Sequence, residues 1–155
     1  VEVNGKSAIW DFFHHNGGAA VVPVTKEGKI LMVRQYRNAI DRFTLEIPAG
    51  AFDTTNESGA SCVARELEEE TGYKAGRLSH LGSMSPNPAI FSNQVHCYAA
   101  EDLVATGTQE LDRDEFVEYF TLPEDEVHAM MGTAEFPHAL MTAAMDLYRN
   151  YKSKA

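Results

Sequence analysis

The run Glu57 to Thr71 does more than any other stretch to limit how this chain can fold. It is made of good helix formers and stops at Gly72, and glycine is the residue favoured just past a helix because it takes a left-handed conformation at little cost. Each helical residue advances about 100° around the axis, which places Glu66, Glu69 and Glu70 in one arc about 100° wide. Val63, Leu67, Ala60, Ala64 and Thr71 fall in the adjoining arc and are expected to face the core, while Glu68 points to the opposite, solvent side. Three like charges at i, i+3 and i+4 repel by roughly a few tenths of a kcal/mol in water and by more when partly buried. Local stability does not account for such a cluster; a positive partner does. Carboxylate oxygens are the ligands that Mg²⁺, Mn²⁺ and Ca²⁺ prefer, so the arc is a candidate metal site, against the alternative of a solvated acidic face neutralised by Arg65 and salt.

The segments around this helix read mainly as strands. Ala19 to Thr25 and Lys29 to Tyr36 are apolar and β-branched runs on either side of Lys26-Glu27-Gly28, the pattern of an antiparallel hairpin. A shorter strand around Phe43 to Ile47 ends at Pro48, and Ala49-Gly50 opens a polar loop into the helix. Leu78 to Met84, Gln94 to Ala100 and Glu115 to Leu122 complete the strands, the first two separated by the stiff turn Ser85-Pro86-Asn87-Pro88. Pro123-Glu124-Asp125-Glu126 starts a short helix, and Pro137 to Lys152 carries Leu140, Ala144, Leu147 and Tyr151 at helical spacing. This order predicts an α/β fold in which a mixed sheet is covered by helices on two faces. Residues 1–16 form either a hairpin or an arm that docks elsewhere, with the sole tryptophan, Trp10, in the middle. No repeat or linker divides the 155 residues, so a single domain over 1–155 is expected.

Thirteen Lys plus Arg against 23 Asp plus Glu give a formal net charge of −10. That balance argues against a nucleic-acid backbone or an anionic membrane surface as partner, and requires mediating cations if the substrate carries phosphates. Cys62 and Cys97 are too few for a disulfide framework; they read as small, half-buried apolar residues in a reducing cytoplasm. No apolar run approaches a membrane span of about 18 residues, and no basic-then-apolar opening targets export. His14, His15, His80, His96, His128 and His138 show no spacing that assembles a zinc site and are assigned structural or surface roles.

The pattern Gly50-x6-Glu57-x7-Arg65-Glu66-Leu67-x-Glu69-Glu70-x-Gly72-Tyr73 resembles the signature of the Nudix hydrolases, Gly-x5-Glu-x7-Arg-Glu-U-x-Glu-Glu-x-Gly-U with U a bulky apolar residue. Every specified position from Glu57 onward fits. The departure is one additional residue between Gly50 and Glu57, in the loop before the helix. Arg34-Gln35-Tyr36-Arg37 and Glu46-Ile47-Pro48-Ala49-Gly50 resemble stretches typical of the ADP-ribose pyrophosphatase branch, so that the likeness spans roughly Gly17 to Leu122.

The resemblance implies a Nudix fold, an α/β/α sandwich with a mixed sheet, and Mg²⁺- or Mn²⁺-dependent hydrolysis of a nucleoside diphosphate sugar, ADP-ribose to AMP and ribose 5-phosphate first of all. It implies that Glu66, Glu70 and the Ala49 carbonyl hold metal, that Glu69 is a ligand or a base, and that Arg65 orients the cluster. In this branch an acid before a late strand serves as base or completes the metal shell; Glu115 is the expected residue, with Glu110, Asp112 and Asp114 as alternatives. Arg37 matches the arginine that grips phosphates, a task suited to its bidentate fork. Glu46 either serves the site or pairs with an arginine. Pro88 stands where a proline marks the ADP-ribose group, while Asn93-Gln94 replaces an acid common in relatives. Trp10 is expected to stack on a base across a homodimer, or else to be buried in the core or a dimer seam. GDP-mannose, another nucleotide sugar, a dinucleotide or coenzyme A is the rival substrate, and a catalytically silent nucleotide-sensing module the rival role. A calcium-binding reading fails for want of a twelve-residue calcium loop.

Overall fold

The computed structural model describes residues 2–7, 9–111 and 116–154. Their strands form a four-stranded mixed sheet and a three-stranded antiparallel sheet, with two small two-stranded ribbons at the periphery. Strands β1 (Glu2–Val3) and β2 (Lys6–Ser7) make one ribbon, an exposed hairpin at the start of the chain. Strand β3 (Gly18–Pro23) follows, then β4 (Lys29–Arg37), β5 (Arg42–Glu46) and β6 (Ala49–Ala51). Helix α1 (Gly59–Thr71) leads to β7 (Tyr73–Lys74), β8 (Arg77–Met84), β9 (Val95–Glu101) and β10 (Val104–Ala105). The chain closes with β11 (Val117–Pro123), α2 (Glu124–Met130) and α3 (Ala139–Lys152).

The expected hairpin between the runs flanking Lys26-Glu27-Gly28 forms only at its turn. Thr25 donates to the Lys29 carbonyl at 2.9 Å and one bridge joins Val24 to Ile30, after which the two strands enter different sheets. The reason lies in β3, which is buried at every residue and has both backbone edges already paired, antiparallel to β6 and parallel to β9. Strand β4 pairs instead with β5 and β11. An unbroken apolar run suits a strand covered on two faces, whereas a half-exposed hairpin strand alternates.

Period-2 alternation along β3 sorts its side chains between two cores. Ala20 and Val22 join Ile30, Met32, Cys97 and Ala99 against Val127 of α2, Met141, Ala144 and Met145 of α3, and Phe136 between those helices. Ala19 and Val21 join Leu31 and Ala100 against Cys62, Val63 and Leu67 of α1. Helices therefore cover two faces, and the sandwich is α/β/α. Both cysteines are fully buried and free, more enclosed than the half-buried positions their residue type suggested. Helix α1 begins two residues later than its composition indicates, because Ser58 caps it by accepting from the Ser61 amide at 3.1 Å. Ala64, expected in the core arc, is exposed, while Cys62 from the acidic side of that arc is buried against β6. Among the described residues no helix is long and apolar enough to cross a membrane.

Candidate active site

Strand β6, the loop after it and α1 together organise the acidic arc. Arg65 lies at its centre. Its guanidinium donates to Glu66 at 2.8 Å, to Glu69 at 3.0 Å and to Glu57 at 3.3 Å, and to the Ala51 carbonyl at 3.1 Å. Asp53 adds an ion pair at 3.2 Å. Burial opposes the arginine charge, but the hydrogen bonds it donates to Glu57, Glu66 and Glu69, together with the Glu66 charge, outweigh it and push the pKa above the ordinary arginine range. Glu57, beyond the additional loop residue, stays in the cluster and accepts from the Asp53 amide at 2.8 Å. Its own pKa is raised by burial but lowered more by that amide and by Arg65, for a net value below the usual carboxylate range.

Gly50 shows how closely the helix and β6 are fitted. A Cβ built there would lie 1.7 Å from Oε1 of Glu66, so only glycine lets that carboxylate rest against the β6 backbone. Glu70, one turn on from Glu66, is 2% exposed, an unusual depth for a carboxylate. Glu68 on the far side pairs with Lys74 at 3.1 Å.

The segment before β11 returns to the C-terminal end of this helix. Glu110 donates its amide to the Glu69 carbonyl at 3.0 Å, and the Gln109 side chain donates to the Glu70 carbonyl and, at 3.4 Å, to that of Val117. Thr106 likewise donates to Gly72, by its amide at 2.7 Å and its hydroxyl at 2.9 Å. The last carbonyls of a helix lack intrahelical donors. That general need was the signal by which Thr106 and Gln109 were foreseeable, although no motif marks them. Glu115, with its alternatives Asp112 and Asp114, lies outside the described residues; of the loop acids, Glu110 has its backbone beside the arc.

Glu46, left between two roles by the sequence, pairs with an arginine. It is 1% exposed and accepts both arms of the Arg37 fork, at 2.7 Å from Nε and 2.5 Å from the terminal nitrogen. The buried Thr44 hydroxyl completes this carboxylate's shell at 2.7 Å. Thr44 and Glu46 are two apart in β5 and so share a face, which is how an alternation argument would have found the threonine. Arg37 lines a cavity of about 350 Å³ together with Ala49, Gly50, His15, Asn93 and His138. Two larger cavities, of about 520 and 440 Å³, surround the turn at 26–29 and share no residue with it. Pro88 and Trp10 are exposed and lie outside the cavity lining, Trp10 at 69% exposure in the N-terminal arm.

Among the described residues no three His, Cys, Asp or Glu side chains converge as a ready metal-holding group; Arg65 engages Glu66 and Glu69. The donor set nonetheless suits a hard divalent cation, being carboxylate and carbonyl oxygens held by a Gly50 cradle that admits no side chain.

The model of the NUDIX domain matches residues 14–144. The chain belongs to the NUDIX family and is a Nudix hydrolase. It is 38% identical over 133 residues to a Bacillus subtilis protein named ADP-ribose pyrophosphatase, covering 85% of this chain and 71% of that one. To a Bacillus methanolicus protein named methanol dehydrogenase activator it is 36% identical over 124 residues, covering 79% and 66% respectively. The chain thus spans about two thirds of the length of these relatives. A solved structure titled as an ADP compounds hydrolase superposes with a TM-score of 0.80 at 24% identity, covering 89% of this chain and 73% of its own, which supports the fold.

Proposed function

We propose that this Nudix hydrolase cleaves the pyrophosphate bond of a nucleoside diphosphate sugar, and that ADP-ribose is its substrate, giving AMP and ribose 5-phosphate. The observation that carries this reading is the arc in which Arg65 clamps Glu66 and Glu69, Glu66 rests against Gly50, and Glu70 is buried alongside. The name of the Bacillus subtilis relative supports the choice of nucleotide.

In this reading Glu66, Glu70 and the Ala49 carbonyl hold Mg²⁺ or Mn²⁺, Glu69 is a further ligand or base, and Glu115 completes the shell or takes the proton. A divalent cation bound there supplies Lewis-acid polarisation of the phosphate oxygens, a more acidic water and neutralisation of charge on the leaving phosphate. This chain's own part is to hold those carboxylates despite their repulsion, through Arg65, and to present Arg37 to the phosphates with its guanidinium orientation set by Glu46. Water adds to one phosphorus, the bridging P–O bond breaks, and the proton of the water passes to a carboxylate. The fixed charges reconcile a net charge of −10 with a doubly charged substrate. Reduced, buried thiols at Cys62 and Cys97 fit a cytoplasmic setting. The exposed aromatic arm fits a homodimer in which Trp10 of one copy stacks on the adenine held by the other.

The test is a panel. Release of nucleoside monophosphate is followed from ADP-ribose, GDP-mannose, a dinucleoside polyphosphate and coenzyme A with Mg²⁺, and ADP-ribose is expected to give the highest kcat/KM. A higher value for GDP-mannose would reassign the nucleotide while leaving the reaction class in place.

A further inference from the structure

The cavity beside the acidic arc differs in chemistry from the arc itself. Among the described residues that line it there is no carboxylate, although the chain carries 23 acids. Its polar members include Arg37, His15 and His138. Both histidines were assigned structural or surface roles from their spacing; their hydrogen bonds give them something more definite.

His15 Nδ1 accepts from the Gly17 amide at 3.0 Å, and His138 Nδ1 accepts from the Leu140 amide at 3.2 Å. A backbone N–H donates only, so each Nδ1 presents a lone pair. In a neutral imidazole the proton then resides on Nε2, which makes Nε2 a donor. The backbone has fixed the tautomer of both rings in the same sense. His138 also caps α3, a helix of 14 residues whose positive N-terminal end adds to the same potential.

We infer that His15 and His138 are substrate-binding residues whose Nε2–H groups donate to phosphate oxygen on the sugar side of the scissile bond, making with Arg37 an anion-holding wall opposite the carboxylate arc. The wall separates the two ends of the site by charge: acids on α1 for cations, donors on β4, the residues before β3 and the start of α3 for phosphate. The inference rests on the nucleoside diphosphate sugar reading for the identity of the anion, but the donor geometry is independent of it.

Replacement by asparagine separates the two jobs of each ring. The asparagine side-chain oxygen accepts from an amide two residues on, as in an Asx turn or a helix cap, while offering nothing in place of Nε2–H. The experiment uses the full chain with ¹⁵N-labelled histidine, whose long-range ¹H–¹⁵N spectra report the tautomer, titrated with ribose 5-phosphate and with ribose. Both rings are expected as the Nε2–H tautomer, and both are expected to shift with ribose 5-phosphate but not with ribose. His15→Asn and His138→Asn are each expected to raise KM for ADP-ribose about tenfold, with kcat within about twofold and an unchanged melting temperature, as a lost hydrogen bond to a charged group requires. An Nδ1–H tautomer, or rings unmoved by saturating ribose 5-phosphate, would overturn the inference. Rings that shift in a protein that leaves ADP-ribose intact would sink the substrate reading and keep the wall; normal hydrolysis with unchanged KM in both variants would do the reverse.

Discussion

Glu70 carries more of the account than any other side chain. A carboxylate that is 2% exposed sits where a protein of ordinary composition places an apolar residue, one helical turn from Glu66 and in line with it. If its charge is there to hold a cation, Glu70→Gln keeps shape and volume and removes the function: kcat should fall by roughly 10² or more with little change in the melting temperature. Steady-state kinetics at saturating Mg²⁺ measure this, and wild-type turnover in the variant would remove Glu70 from the site. Cys62 behaves in the opposite way, as a group that burial keeps neutral. Burial first, then Glu66 and Glu57, push its thiol up to about 12 against the opposing pull of Arg65, and burial pushes Cys97 up to about 11. Unfolded thiols ionise near 8.5, so the stability these groups lend is fully present below about that pH and is lost as pH climbs toward their folded values. Denaturant midpoints should therefore drop between about pH 8.5 and pH 11, and Cys62→Ala should flatten the slope even though it lowers stability at neutral pH.

Helix α1 and strand β6 act as a matched pair, and Gly50 is where the match is tightest. Gly50→Ala forces the Glu66 carboxylate off the β6 backbone, because the added carbon would lie 1.7 Å from its oxygen. The far end of a glutamate is flexible, so the expected result is a folded protein with kcat reduced by about tenfold or more, read by activity alongside circular dichroism. Retained activity would mean that the Glu66 carboxylate works from another position. The helix itself was legible in sequence because its signals agree: a run of good helix formers, a glycine stop with φ of 68° and apolar residues on one arc; its start was not, because the Ser58 cap was read as part of the run. The strand partners were less so. Lys26-Glu27-Gly28 is a local turn signal and forms a turn, but pairing depends on which edges the rest of the fold has already filled, and β9 lies more than seventy residues away in sequence from β3. Local chemistry does not encode that competition. The Arg37–Glu46–Thr44 group shows the same division: the arginine and the glutamate were visible as motif members, while the buried hydroxyl that finishes the shell depends on β5 turning that face inward.

At the scale of the whole molecule the arm is the unsolved element of the sequence, since an aromatic segment of about ten residues is too short to build its own core. In the single chain Ile9 is 97% exposed, and Trp10, Phe12 and Phe13 are each about two thirds exposed; the arm is tied to the body at its end, by the backbone bonds of Phe13 with Ile90 and Ser92, the Phe13–Phe91 ring contact and the His14–Ser92 hydrogen bond at 3.0 Å. In the proposed homodimer a second copy covers this apolar surface. Light scattering should report a dimer, and Trp10→Ala should raise KM for ADP-ribose by several-fold to tens-fold, in keeping with roughly 1 to 3 kcal/mol for a base stacked on an aromatic ring. A monomer that is fully active would end the shared-pocket idea, whereas a dimer with unchanged KM would leave Trp10 as a packing residue. Above assembly stands the reaction. Incubation of the purified chain with ADP-ribose and Mg²⁺, with products separated by chromatography, should yield AMP and ribose 5-phosphate in equal amounts and nothing when a chelator is present; ADP-ribose recovered intact with Mg²⁺, or cleaved equally well under chelator, would contradict the account.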